Sequence, residues 1–194
     1  MNPRICFVTT NKHKIEEARN ILPENIDWVT LEDLEFKDEI QETGLTFNAN
    51  SFIKANKIYS LYMVPSFADD SGLVVEALNG APGVYSARFA GPNSSDNENV
   101  LKLLKLLEGV ENRSAYFETC ICYCSTNGVK YYSARIYGQI ALEPKGEMGF
   151  GYDPVFIPEG KEQTFAELGS EYKNKVSHRA KALKLFQMDL LTDK

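Results

Sequence analysis

Two adjacent carboxylates, Asp69 and Asp70, follow the short apolar run Phe67-Ala68 and precede Ser71-Gly72 and Leu73-Val74-Val75. This stretch constrains the chain more than any other. Leu and Val mark a strand on its far side, and Ser71-Gly72 favours a turn. The pattern therefore predicts two strand-like runs with the acid pair between them. Neighbouring carboxylates repel, so a fold that keeps them at a strand end brings a cation close. Carboxylate oxygens with few protein partners suit Mg²⁺, which keeps most of its waters and also takes substrate phosphates. The plain alternative is a solvated turn, since Asp, Ser and Gly are turn residues in any case.

Upstream, Arg4-Ile5-Cys6-Phe7-Val8-Thr9 reads as a buried first strand. Ile15, Ala18, Ile21 and Leu22 mark a helix stopped at Pro23. The loop between them, Thr9-Thr10-Asn11-Lys12-His13-Lys14, puts hydroxyls, an amide and two lysines at a helix start. The first amides of a helix have no internal partners and bind anions. A capped helix start with solvated lysines is the other reading. The loop has no glycine and is not a Walker-type P-loop.

A polyphosphate partner has to agree with the charge of the chain. The 194 residues carry a net charge of −6 and a pI near 5.1, which argues against general affinity for nucleic acid or anionic membrane. A small polyphosphate in a local basic pocket is not excluded. With 43% hydrophobic residues, one domain over 1–194, or two lobes sharing one sheet, is expected. No apolar segment approaches the length of a membrane span. Met1-Asn2-Pro3-Arg4 opens straight into the first strand without a signal-peptide pattern, so the cytoplasm is the expected location. Cys120, Cys122 and Cys124 alternate along one run and share a face. With Cys6, they read as reduced, buried small hydrophobes and not as a zinc site.

Residues 24–45 are mixed and acidic, with Glu42-Thr43-Gly44 closing in a turn. A helix follows from near Thr46 through Phe52, Ala55, Ile58 and Tyr62 to Pro65, with Lys54 and Lys57 snorkelling to the surface. Asn79 to Phe89 is a structured loop rich in Gly and Pro. Ser95-Asp96-Asn97-Glu98 is a capping box opening a helix through Leu107, closed by Gly109. Runs 114–126 and 129–142 flank Asn127-Gly128, a hairpin signal. The glycine loop around Phe150 and Tyr152 can lay peptide and ring against a base, or can simply be a connection with core aromatics. Val155-Phe156-Ile157 is a short strand. Ser177 caps a last helix and puts His178 and Arg179 in its first turn, where cations oppose the helix dipole. A ligand or a solvated helix start accounts for them. Alternating strands and helices indicate an α/β unit on a central mixed sheet.

Five motifs in order carry a resemblance: Phe7 to Lys14, Ala68 to Leu73, Gly80 to Arg88, Gly149 to Pro154, and Ser177-His178-Arg179. Together they resemble the inosine triphosphate pyrophosphatase family, the non-canonical purine nucleoside triphosphate pyrophosphatases. The resemblance spans residue 7 to about residue 183. It implies an elongated mixed sheet flanked by helices in two lobes, with the substrate cleft between them. It implies a Mg²⁺-dependent homodimer in which activated water attacks the α-phosphate of ITP, dITP or XTP, releasing the monophosphate and pyrophosphate.

By position, the resemblance makes Asp70 the catalytic acidic residue, a proton acceptor, and a Mg²⁺ ligand with Glu42. Thr9, Thr10, Asn11, Lys12, His13 and Lys14 hold the triphosphate, with Lys54 near them and Ser71 touching substrate. Phe150, Gly151, Tyr152 and Asp153 match the base and sugar loop; Lys173, His178 and Arg179 match the base-reading residues. One position departs from the pattern. Ala49 stands before Asn50 where the family often has Glu, which shifts metal binding onto Glu42, Asp69 and Asp70. The chemistry fits independently, because phosphoryl transfer needs positioning and charge neutralisation more than covalent chemistry. Two rivals keep a place: a similar pyrophosphatase for pyrimidine or modified nucleotides, and a nucleotide sensor without turnover. An aspartyl-nucleophile phosphatase wants two aspartates one residue apart after the first strand, and none are there.

Overall fold

The structure is a computed structural model that describes residues 4–23 and 26–192; the Met1-Asn2-Pro3 opening lies outside them. The elements in chain order are β1 (Arg4–Phe7), α1 (Lys12–Ile21), β2 (Asp27–Val29), α2 (Phe47–Tyr62), β3 (Ser66–Val75) and α3 (Asp96–Leu106). They continue with β4 (Ser114–Ser125), β5 (Gly128–Ile140), β6 (Phe156–Pro158), α4 (Phe165–Val176) and α5 (His178–Thr192). The strands form one sheet in the order β2-β1-β3-β4-β5-β6. It is mixed: β1 pairs parallel with β2 and β3, and β5 pairs antiparallel with β6. The expected α/β class holds.

Most helix limits follow local chemistry. Thr46 caps α2 by accepting from the Ala49 amide, and Ser95 and Glu98 form the expected capping box of α3. The hairpin turn falls on Thr126-Asn127, one residue earlier than expected, with Gly128 at φ 103° opening β5. Three elements differ from expectation. The turn at Ser71-Gly72 does not exist: β3 runs unbroken through both aspartates. Helix α4 was not expected, although Thr164 and Glu167 form a second capping box at its start. Strand β2 has only three residues, too few for an alternation to be read.

The chain divides into two compact units. The first comprises the described residues of Met1–Asp70, Thr119–Ala134 and Arg179–Lys194. Its strands are apolar on both faces, with a period of two. Ile5, Phe7, Phe67, Ile121 and Tyr123 pack with Ala18 of α1, with Leu22 just past its end, and with Leu183 and Phe186 of α5. Cys6, Val8, Ala68, Cys122 and Cys124 pack on the other side with Ala55 and Ile58 of α2. All four cysteines are buried free thiols, as the alternation suggested. Burial, helped by the Asp33 charge, pushes the Cys6 thiol up to about 12, so it stays protonated at neutral pH.

The second unit comprises Ser71–Glu118 and Arg135–His178. Its core joins Leu73 and Val75 of β3, Val100, Leu103 and Leu107 at α3, Phe117 of β4, Phe156, and Phe165 of α4. Among the described residues no helix is long and apolar enough to cross a membrane.

Candidate active site

Strand alternation decides where the acid pair goes. Asp69 and Asp70 are consecutive in β3, so their side chains leave on opposite faces. Asp69 falls with Phe67 on the α1 and α5 side, and Asp70 with Ala68 on the α2 side. The repulsion anticipated between them is relieved by this divergence, and each carboxylate meets its own partners.

On the first face, Asp69 Oδ2 accepts from Lys14 Nζ at 2.9 Å and from Arg179 Nε at 3.2 Å. The Nη1 of Arg179 donates to Glu17. Lys14 and Glu17 are three residues apart on α1 and so share one side of it. Burial alone works to raise the Asp69 carboxyl, but Lys14, Arg179 and Lys54 outweigh it and hold it well below the usual carboxylate range. Asp69 is a fixed anion. Arg179 likewise stays charged, because Asp69 and Glu17 outweigh the effect of its burial.

On the second face, Asn50 is fully buried and uses both ends of its amide. Its Nδ2 donates to Asp70 Oδ2 at 3.0 Å, and its Oδ1 accepts from the Gly44 amide at 2.8 Å. Lys54 Nζ lies 2.6 Å from Glu42 Oε1, 2.7 Å from the Asp69 carbonyl oxygen and 4.0 Å from Asp70 Oδ1. Burial raises the Asp70 carboxyl above its ordinary value; Lys54 opposes this and Glu42 adds to it. The environment thus pushes the two neighbours apart: Asp69 is held as an anion, and the Asp70 carboxyl is raised above its ordinary value.

Gly44 is closely packed on this face. A Cβ there would meet Ala49 Cβ at 2.6 Å and Asn50 Oδ1 at 2.7 Å. Gly44→Ala is therefore expected to cost about 1–3 kcal/mol by overpacking and to lower activity by disturbing Asn50. Urea denaturation and an activity assay check both effects, and a variant equal to wild type in both would remove Gly44 from the site.

Several sequence expectations meet a different placement. Lys54 does not snorkel outward; it is drawn in to Glu42 and the Asp69 carbonyl. The start of α1 is capped internally, since Asn11 Oδ1 accepts from the His13 and Lys14 amides and the Asn11 amide donates to Thr9 Oγ1. Thr10, Asn11, Lys12 and His13 are exposed, while Lys14 turns in to Asp69. Arg179, expected with the base-reading residues, has its guanidinium on Asp69 and Glu17 in the first unit. Asp69, given metal-binding weight because of Ala49, has its carboxylate on Lys14 and Arg179. Glu17 and Asn50 were missed. Lys14-to-Glu17 spacing could have hinted at Glu17, but nothing local distinguishes Asn50 from an ordinary helix asparagine.

In the second unit, Ser71 follows Asp70 along β3. The glycine loop is held by one of its own side chains and by one from α3: Phe150 N donates to Asp153 Oδ2 at 3.0 Å, and Gly151 N donates to Asp96 Oδ2 at 2.6 Å. The Tyr152 hydroxyl donates to the Ser86 carbonyl at 2.8 Å. Lys173 Nζ joins Asp153 Oδ2 at 2.6 Å and lies 3.9 Å from the Phe150 ring centroid, a cation–π distance. Gly149, at φ 88°, could not carry a Cβ, which would come within 2.3 Å of Asp153 Oδ2. Lys173 and the Phe150–Asp153 loop are thus brought together, whereas the His178 ring stacks on Phe117 with centroids 4.8 Å apart.

The donor set on the second face consists of oxygen atoms. Glu42 and Asp70 already converge on one cation, the Lys54 ammonium, which also donates to the Asp69 carbonyl oxygen. No group of three or more His, Cys, Asp or Glu that could hold a metal occurs among the described residues. Carboxylate oxygens are the ligand type of hard cations such as Mg²⁺, which takes its remaining ligands from water and phosphate. The residues present fit that ion.

Residues 5–188 match the model of the Ham1 family. The chain is 45% identical over 181 residues to the dITP/XTP pyrophosphatase of Porphyromonas gingivalis, covering 93% of each chain. It is 47% identical to the dITP/XTP pyrophosphatase of Bacillus licheniformis, covering 93% of this chain and 94% of that one. Among solved structures, the Staphylococcus aureus Ham1 protein superposes with a TM-score of 0.92 at 37% identity, over 98% of this chain and 100% of that one. The resemblance carried by the five motifs is borne out, and the chain belongs to the Ham1 family.

Proposed function

We propose that the chain hydrolyses the non-canonical purine nucleoside triphosphates dITP, XTP and ITP to the monophosphate and pyrophosphate, with Asp70 as the proton acceptor for the attacking water. The relatives' printed activity, dITP/XTP pyrophosphatase, supports the substrate class. One structural observation carries the mechanism: a carboxylate raised by burial stands beside Glu42 and Lys54, while its neighbour Asp69 is pinned as an anion on the other face.

In this reading the triphosphate meets the exposed Thr10, Asn11, Lys12 and His13 at the α1 start, with Thr9 shaping the loop and Lys14 and Lys54 as the inner cations. Glu42 and Asp70 would hold Mg²⁺, which would supply positive charge against that developing on the leaving pyrophosphate. Asn50 fixes the Asp70 carboxylate, and Asp69, Glu17 and Arg179 hold Lys14 in place. Arg179 is assigned this anchoring part instead of base reading.

The base and sugar are assigned to Ser71, Phe150, Gly151, Tyr152, Asp153, Lys173 and His178. An ammonium such as that of Lys173 only donates hydrogen bonds, so it favours the 6-oxo acceptor of hypoxanthine and xanthine over the amino group of adenine. A site built on hydrogen bonds rejects such a mismatch by roughly 10⁴-fold. Guanine shares the 6-oxo group and is opposed only at its 2-amino group. The expected order is ITP and XTP first, GTP well below and ATP lowest. A nucleotide panel with Mg²⁺, scored for pyrophosphate against phosphate release, tests both parts. Phosphate as the product, or no turnover on any purine, would overturn the proposal.

The same reading includes one domain over 1–194, a homodimer and a cytoplasmic setting. Light scattering of the purified protein tests the dimer, and a fluorescent fusion tests the location.

A further inference from the structure

We propose that Lys54 is a built-in stand-in for the metal: its ammonium neutralises Glu42 and Asp70 until nucleotide arrives, so the nucleotide-free protein binds divalent cations poorly. The inference rests on the proposed nucleotide-hydrolysing reading of this site. Lys54 Nζ is 2.6 Å from Glu42 and 4.0 Å from Asp70, with the Asp69 carbonyl oxygen at 2.7 Å. Those are the oxygens a hard cation would seek, and a monovalent cation on the protein's own chain already sits among them.

The position is enclosed. The Lys54 side chain is 12% exposed, Glu42 25% and Asp70 8%, so their attraction is screened less than at an open surface. The wider cluster repeats the balance. Four carboxylates, Glu17, Glu42, Asp69 and Asp70, face three cations, Lys14, Lys54 and Arg179. A divalent ion entering alone would meet an almost neutral site and the repulsion of the Lys54 ammonium. A metal–polyphosphate complex changes both terms together, because its phosphate offers Lys54 a new partner while its metal takes the oxygens Lys54 leaves. Exchange of ion pairs, and not creation of a new charged site, then makes binding favourable. The arrangement couples metal to nucleotide and keeps the resting protein from collecting the wrong ions.

The test uses Mn²⁺ as the probe and the full-length protein without nucleotide, with bound and free ion distinguished by electron paramagnetic resonance. Lys54→Met keeps an unbranched apolar stem, one atom shorter, and removes the charge. It is expected to bind Mn²⁺ at least about ten-fold more tightly than wild type, since one nearby like charge is gone. Lys54→Arg is expected to stay weak, and Lys54→Met with Glu42→Gln to lose the gain. Equal or weaker Mn²⁺ binding by Lys54→Met, in protein shown folded by circular dichroism, would overturn the proposal. Wild type supplies a second readout that needs no variant. Pyrophosphate should increase the Mn²⁺ retained on the protein, and the same retention with and without it would equally overturn the proposal. Neither readout involves turnover, so absence of ITP hydrolysis would sink the proposed activity and leave these results separately decisive.

Discussion

Asp70→Asn is expected to lower ITP turnover by roughly 10²–10⁴-fold, the usual contribution of a positioned acid–base group, and to leave the fold intact. The substitution keeps volume and keeps an oxygen for Asn50 Nδ2, which donates to Asp70 Oδ2 at 3.0 Å. What it removes is charge and basicity, at the carboxyl that burial raises and Glu42 raises further. Removing a partly desolvated anion from beside Lys54 costs the protein little, because Lys54 keeps Glu42 and the Asp69 carbonyl. The loss should therefore appear in kcat and not in thermal unfolding. Saturating kinetics on ITP with Mg²⁺, alongside an unfolding curve, check this. Near wild-type turnover would mean that Asp70 is not the proton acceptor.

The strand that carries Asp70 shows where sequence reasoning stops. Asp-Asp-Ser-Gly reads locally as a turn, and only tertiary partners make it strand interior. Lys14 and Arg179 meet one carboxylate, Asn50 meets the other, and Ser86 Oγ accepts from the Leu73 amide at 2.9 Å. None of these partners is a neighbour in sequence; Arg179 is 110 residues from Asp69. Local rules succeed where the cause is local, as in the caps of α2 and α3 and in the alternation that buries the cysteines of β4. They could also have found α4, whose Thr164–Glu167 capping box was legible and passed over.

The candidate site divides in the same way. Residue types at the right positions were legible in the five motifs, but their pairing was not. An inward or outward course for Lys54 depends on the acids at its tip, and those come from the loop before α2 and from β3. Arg179 follows His178 directly in the chain, yet the His178 ring stacks on Phe117 while the guanidinium of Arg179 reaches Asp69. Adjacent residues at a helix start point about 100° apart around the axis, so one dipeptide serves two separate clusters.

Asp69→Asn is expected to be the more damaging change for stability, costing about 3–5 kcal/mol, the usual result of removing one partner from a buried ion pair. Asp69 is 2% exposed and receives both Lys14 and Arg179, of which Arg179 is itself 3% exposed. An amide can accept a hydrogen bond from either, but it cannot neutralise the buried Arg179 and the half-buried Lys14. The effect has a characteristic pH dependence. The folded-state pKa of Asp69 is held below its unfolded value, so its contribution is fully present above the unfolded value, near 4. It is lost as the pH falls through the folded-state value. Asn does not titrate, so the gap between wild type and Asp69→Asn should be widest at pH 7 and narrower at pH 3. Urea denaturation at the two pH values measures it. A gap below about 1 kcal/mol at pH 7, within the range of an exposed ion pair, would mean that the Lys14–Asp69–Arg179 cluster is not the buried anchor of the first unit. A gap that stayed constant with pH would place the loss in packing and not in charge.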